Sequence, residues 1–214
     1  MLCPLCDHID NKLWKQNSKF FFCVKCFLLF KDPVHNLTQE QEKARYLLHQ
    51  NTLLNQGYRS LLENYLNELI PLLGPLDQIL DYGSGPKPCL QQLLDLKGYK
   101  SDIYDHLFYP SFPDKSYPLI SLHEVLEHFK NPKSELLKIL PLLKPNGYLV
   151  VATQLWNESL KDSNWYYFKD PTHQSIFHYQ SLEYLEHFGL KLIKSQSNAI
   201  HTFQYSKLEF CNPA

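Results

Sequence analysis

Apolar positions along the chain change their period from block to block. Tyr58, Leu61, Leu62, Tyr65, Leu66, Leu69 and Ile70 recur at steps of three and four, the spacing of one helix face. The helical pattern runs from Thr38 to about Ile70 with a break near Gln56-Gly57, and Pro71 and Gly74-Pro75 stop it. Gln78-Ile79-Leu80-Asp81-Tyr82 is then a short apolar run that meets Gly83-Ser84-Gly85-Pro86, a strand entering a glycine-rich turn. Cys89 to Lys97 reads as a helix ended by Gly98, and Ser101 to Tyr104 as a second strand closing on Asp105. After a polar, proline-rich link, Tyr117 to Leu122 is a third strand. It runs straight into His123-Glu124-Val125-Leu126-Glu127-His128-Phe129. Pro132 to Leu143 is helical, Lys144-Pro145-Asn146-Gly147 a turn, and Tyr148 to Thr153 (YLVVAT) a strand rich in β-branched residues.

Strands alternating with helices, with strand runs almost wholly apolar, predict an α/β fold whose parallel sheet is covered on both faces. The tail differs. Residues 155–178 are aromatic and polar, Ser181 to Phe188 reads as a helix capped by Gly189, and Leu190 to Ser195 and Ala199 to Tyr205 are strand-like. The division this predicts is a small unit over residues 1–32, helices over 33–74 and the α/β domain over 75–214.

Cysteine usage changes the picture at the N-terminus. Four of the six cysteines lie in the first 26 residues, as Cys3-x2-Cys6 and Cys23-x2-Cys26; Cys89 and Cys211 stand alone. That spacing fits a four-cysteine structural zinc ribbon, in which each knuckle turns two thiolates toward one ion. Four thiolates leave no open position on the metal, and a unit this small needs the metal's binding energy to fold. Such a ribbon binds a substrate, binds a partner, or braces the domain behind it. Net charge is −1, which gives no general attraction to nucleic acid or to an anionic membrane. The N-terminus lacks the pattern of a secretory signal and no apolar run is long enough to span a bilayer, so a soluble, cytoplasmic protein is expected.

The glycine-rich turn carries the first candidate chemistry. Glycines between a strand and a helix let the backbone approach a ligand, and the helix offers free N–H groups. A second strand ends in Asp105, a carboxylate suited to a ribose diol. Pro86-Lys87-Pro88 stands where a dinucleotide fold has its third glycine, which favours a nucleoside without a pyrophosphate.

ILDYGSGP, IYDH, YPLISLHEVLEHF and LLKPNGYLVVAT resemble, in that order, four segments of class I S-adenosylmethionine-dependent methyltransferases: the nucleoside-binding loop, the second-strand acid, the fourth strand and the fifth strand. The resemblance covers roughly residues 58–210. It implies a Rossmann-like sheet of seven strands with the last antiparallel, and methyl transfer from a sulfonium donor by in-line displacement. It also implies that Asp81, Gly83 and Gly85 line the methionine end of the cofactor, with Ser84 in the same loop, and that Asp105 holds the ribose. His106 and His123 join the cofactor side as neighbours of those strand ends. The third-strand region is shortened, because only about a dozen residues follow Asp105 before the next strand; Leu107 or Phe108 is then the candidate wall for adenine.

On a helix, with about 100° per residue, Glu124, Glu127 and His128 share one face, and Val125, Leu126 and Phe129 the other. A solvated amphipathic helix explains this pattern. The segment also follows a parallel strand, so it starts at the carboxyl edge of the sheet, where ligands bind. Glu-x-x-Glu-His moreover resembles a motif of small-RNA 2′-O-methyltransferases and ubiquinone-type O-methyltransferases. In the RNA enzymes that motif, with a later histidine, holds a divalent metal. Asp170-Pro171-Thr172-His173 resembles a segment of bacterial relatives and makes His173 the first candidate for that histidine, with His178 the second. Three readings stay open: a polar pocket with His128 or His173 as general base, a second divalent ion (magnesium, manganese or zinc) on Glu124, Glu127, His128 and His173, or a surface face. Trp165-Tyr166-Tyr167-Phe168 walls the acceptor pocket or packs as core.

The expected function is methyl transfer from S-adenosylmethionine to an oxygen or nitrogen of a small molecule or modified peptide. The alternatives are an RNA acceptor, disfavoured by the charge, and a non-catalytic zinc-ribbon adaptor on a degenerate methyltransferase fold.

Overall fold

A computed structural model describes residues 1–49, 51–160, 164–197 and 199–207; Cys211 lies outside them. The central sheet has strand order β5-β4-β6-β7-β10-β9. It is built from β4 (Gln78–Tyr82), β5 (Lys100–Tyr104), β6 (Tyr117–His123), β7 (Leu143–Ala152), β9 (Leu190–Gln196) and β10 (Ile200–Tyr205). β5, β4, β6 and β7 run parallel, and β10 lies antiparallel between β7 and β9. Leu149, Val150 and Val151 of β7 are fully buried, as the YLVVAT run predicts for a strand covered on both faces.

Among the described residues this sheet has six strands, not the seven that the sequence resemblance implies. β5 ends at Tyr104 and β6 begins at Tyr117. A crossover with its helix alone takes about 10–12 residues, so the link has no room for a further strand. It folds instead as a tight loop closed by an Asp105–Tyr109 bridge.

Helices pack on the sheet faces. α2 (Gln56–Leu69), capped by Asn55, and α3 (Cys89–Leu96) bury Leu62, Leu66, Leu90 and Leu94 against Ile79, Leu119 and Val150. α4 (Pro132–Ile139) is capped by Asn131 and puts Leu136 and Ile139 on the other face. α1 (Gln39–Leu47) starts in a capping box between Thr38 and Gln41. The break between the two helices is wider than the pattern predicts: α1 ends at Leu47 and α2 starts at Gln56.

The cysteine-rich segment forms β1 (Asn11–Leu13), β2 (Phe20–Cys23) and β3 (Leu29–Lys31), an antiparallel meander. Its edge does not stay open. β3 pairs antiparallel with β8 (Ser175–Ile176), a strand that comes from the aromatic tail. α5 (Tyr179–Glu183) follows, capped by His178. No helix among the described residues is long and apolar enough to cross a membrane.

HEVLEHF is not a helix. Glu124 takes a left-handed φ of 55°, and only Leu126–His128 form a single 3-10 turn. Bonds to other elements outweigh the helix ladder here. Glu124 N donates to Ala152 O at 2.8 Å, Glu127 O accepts from Gln174 N at 2.8 Å, and Phe129 O accepts from Ser175 Oγ at 2.8 Å.

Candidate active site

A cleft of about 840 Å³ opens at the carboxyl ends of β4, β5 and β6. The sequence-predicted Asp81, Gly83, Ser84, Gly85, Asp105, His106 and His123 all line it. So do Glu124, His128 and His173. Glu127 lies fully buried just behind the wall.

One half is the glycine-rich turn. Gly83 N and Ser84 N donate to Tyr104 O at 2.7 and 3.2 Å, folding the turn back over the end of β5. Gly83 and Gly85 have φ of 85° and 67°, a region open to glycine. Asp105 Oδ2 accepts from Gly85 N at 3.0 Å, and Oδ1 from Leu107 N and Phe108 N at 2.8 and 3.1 Å. This carboxylate is therefore held rigid and bound to the turn it serves. Asp81 sits deeper, 3% exposed; burial and then the charge of Asp105 push its pKa up to about 7.

Two buried polar atoms in this half, Ser84 Oγ and His123 Nε2, have no partner among the described residues. Buried polar atoms are normally satisfied, so their lack of partners beside the cleft fits a polar ligand between them. Burial lowers the His123 pKa to about 4, with Glu127 opposing, so the ring is neutral. An adenosine-bearing sulfonium fits this half: a carboxylate for the diol, a glycine turn for close approach, and two unpaired polar atoms.

The other half is an acid and two imidazoles. Glu127 Oε2 accepts from Thr153 Oγ1 at 2.9 Å, and Oε1 accepts from the Tyr167 hydroxyl. Burial and Glu127 raise the Tyr167 pKa far above the ordinary phenol range, so its hydroxyl keeps the proton it donates. His128 Nδ1 lies 3.1 Å from Thr172 O, and His173 Nδ1 lies 2.7 Å from Tyr167 O. A carbonyl only accepts, so each Nδ1 carries a proton, and in the neutral form of either ring the lone pair is on Nε2. The two rings are 5.0 Å apart, and one ligand atom each from Glu127, His128 and His173 lies within 4.8 Å of the others. Burial, then His128, lowers the His173 pKa. Glu124 is not in this trio; its carboxyl opens into the cleft, and burial with Glu127 raises its pKa well above the ordinary value. His178 is elsewhere, its ring 4.6 Å from that of Trp156.

α1 supplies a wall that the sequence reading leaves out. Arg45 pairs with Asp170 at 2.9 Å, Glu42 with Lys130 at 3.2 Å, and the Tyr46 ring meets the His128 ring at 5.4 Å. Glu42 and Tyr46 share one face of α1 by their spacing of four, which is the one signal that marks them, and His49 follows just past the helix end. Tyr166 and Tyr167 also line the cleft, whereas Trp165 and Phe168 pack toward β2 and β3.

At the N-terminus the four cysteines converge, with their sulfurs within 4.8 Å of one another. Cys3 and Cys26 Sγ are 3.6 Å apart, Cys6 and Cys23 Sγ 3.4 Å. Each knuckle closes on a left-handed residue, Asp7 or Phe27, whose N–H reaches back to Cys3 O or Cys23 O.

No curated protein matches the sequence. Solved structures with the same fold include a chain of the complex between the Trm112 methyltransferase activator and a methyltransferase of Haloferax volcanii. It is 14% identical, with a TM-score of 0.56 over 80% of this chain and 100% of that one. A SAM-dependent methyltransferase from Archaeoglobus fulgidus is 20% identical, with a TM-score of 0.49 over 68% and 94%. An O-methyltransferase family protein from Burkholderia thailandensis is 13% identical, with a TM-score of 0.49 over 85% and 78%. A family model described as a methyltransferase domain matches residues 46–195, more than half of the chain and all of the cleft's sheet edge. The chain belongs to that family and is an S-adenosylmethionine-dependent methyltransferase.

Proposed function

We propose that this enzyme methylates an oxygen or nitrogen of a small molecule or modified peptide, with Asp81, the glycine turn and Asp105 holding the cofactor and His128, His173, Glu124 and Glu127 serving the acceptor. The observation that carries this reading is the shared cleft. A nucleoside half and an imidazole half face one volume of about 840 Å³, near the upper end of the roughly 300–1,000 Å³ of ligand pockets, large enough for a cofactor and an acceptor together.

Bound S-adenosylmethionine supplies an electrophilic methyl on a sulfonium. Asp105, fixed by three backbone donors, orients the ribose. As the acceptor's lone pair forms its bond to the methyl carbon, the methyl–sulfur bond would break with its electron pair left on sulfur as a neutral thioether, and the acceptor loses a proton. The free Nε2 of His128 or His173 takes it. Glu127, held by Tyr167 and Thr153, steadies the resulting imidazolium. The same trio fits a divalent ion. Both histidines have Nδ1 tied to a carbonyl, the outer-sphere bond that a ligating imidazole makes. A divalent ion there would make the acceptor more acidic.

The four-cysteine cluster fits zinc, which would hold the ribbon together. Its 3.4 and 3.6 Å sulfur separations are near the edge of about 3.8 Å for a tetrahedron with Zn–S of about 2.3 Å.

Calorimetry with S-adenosylhomocysteine tests the reading. Wild-type protein binds, Asp105→Ala weakens binding at least about tenfold, and His173→Gln binds as wild type. Failure of a folded, zinc-loaded sample to bind would exclude the function. Manganese titration followed by electron paramagnetic resonance separates the metal from the base: only the metal reading has Mn2+ bound by wild type and lost in His173→Gln.

A further inference from the structure

The residues that serve the acceptor half do not all rest on the methyltransferase sheet. Asp170 to His173 form a loop that leads into β8, and β8 pairs with β3 of the cysteine-rich unit, Leu29 with Ile176 and Phe30 with Ser175. Lys31, the last residue of β3, holds that loop at two points. Its backbone N–H donates to Gln174 O at 2.8 Å, and its Nζ donates to Pro171 O at 2.6 Å. Lys31 is 8% exposed. A buried ammonium is costly unless its hydrogen bonds are made; within the ribbon its Nζ meets the face of the Phe20 ring at 5.7 Å, which offers no hydrogen-bond acceptor of the carbonyl kind. The bond it makes is to the loop carrying His173, one residue from the Thr172 carbonyl that orients His128. Both imidazoles therefore depend on where this loop sits.

We propose that the cysteine-rich ribbon is a positioning element of the acceptor site, and that Lys31 is the positioning residue through which it sets His173 and His128. This rests on the reading of the two histidines as acceptor-side groups. The other anchors of the loop, Arg45 on Asp170 and Glu127 O on Gln174 N, come from the family-matched region and its edge. Lys31 is the anchor that the ribbon adds. Lys31 itself bonds to nothing in the cofactor half: Asp81, Gly83 and Asp105 take their hydrogen bonds from β5 and their own turn.

The test reads side-chain geometry rather than turnover. Long-range 1H–15N NMR of the histidine rings reports which nitrogen carries the proton. Wild type should show His173 as one Nδ1–H tautomer, assigned by its disappearance in His173→Gln. Lys31→Met keeps the buried apolar length and deletes the donor. It should average the His173 signals between tautomers while S-adenosylhomocysteine affinity stays within about threefold of wild type. Lys31→Gln, measured in the same way, replaces it if Lys31→Met does not fold. An unchanged His173 tautomer in a folded variant overturns the proposal. Loss of S-adenosylhomocysteine binding in both variants makes Lys31 a general folding residue and also overturns it. Neither result touches the methyltransferase reading, which fails only if wild type does not bind S-adenosylhomocysteine.

Discussion

Asp81 and Asp105 differ in what surrounds the carboxyl group. Asp105 accepts three backbone N–H bonds, whereas Asp81 is buried with Asp105 nearby and its pKa rises from 3.8 to about 7. The folded, ligand-free protein therefore holds a proton on Asp81 that the unfolded chain has released. Stability contributed by this group falls as pH rises from the unfolded value to the folded one, and the loss is complete above about pH 7. The shift corresponds to up to about 4 kcal/mol. Asp81→Asn, which cannot ionise, should match wild type in urea unfolding near pH 4 and be the more stable protein near pH 8. A stability difference that does not grow with pH would show that Asp81 is ionised in the empty cleft. At this scale the sequence was informative for Asp81, Asp105 and His173, because strand ends and a local motif mark them. It could not show that Glu127 is buried beneath Tyr167 and Thr153, since those partners are 40 and 26 residues away.

At the scale of elements, the strands were legible to within one residue for β4, β5 and β6, because apolar runs bounded by glycine and proline have few other outcomes. HEVLEHF was not. Its period-3.6 pattern is real, but the backbone reverses at Glu124 and is bound by residues 174 and 175, which no local window contains. The reversal makes a prediction at the turn it packs on. A Cβ on Gly83 would lie 2.5 Å from Val125 Cγ2, whereas one on Gly85 would meet nothing within 4 Å. Both positions have positive φ, so either alanine incurs about 1 kcal/mol of backbone strain. Only Gly83→Ala adds a steric clash of about 1–3 kcal/mol. Urea unfolding should rank Gly83→Ala well below Gly85→Ala. Equal losses would mean that the Val125 turn yields freely.

On the scale of the whole molecule, the cysteine-rich unit and the sheet are joined through one core. Cys3, Leu5, Cys23, Cys26 and Leu28 belong to the same buried cluster as Leu80, Leu126, Phe129 and Leu149. Trp156 Nε1 donates to Phe27 O at 2.9 Å, and the Phe20 and Phe168 rings meet at 5.5 Å. The sequence separates the two parts because their compositions differ, yet composition says nothing about a strand pair formed 147 positions apart, Leu29 with Ile176. All three tryptophans, Trp14, Trp156 and Trp165, lie in or against the aromatic cluster at this junction. Tryptophan emission is therefore a probe of the junction, while far-UV circular dichroism reports the sheet and helices. With a shared core the two probes should follow one urea transition. If the four cysteines hold zinc as proposed, a chelator should move both to lower urea together, since metal-binding energy there is folding energy for whatever unfolds with the cluster. An early tryptophan transition that leaves the circular dichroism intact would show instead that the ribbon melts on its own.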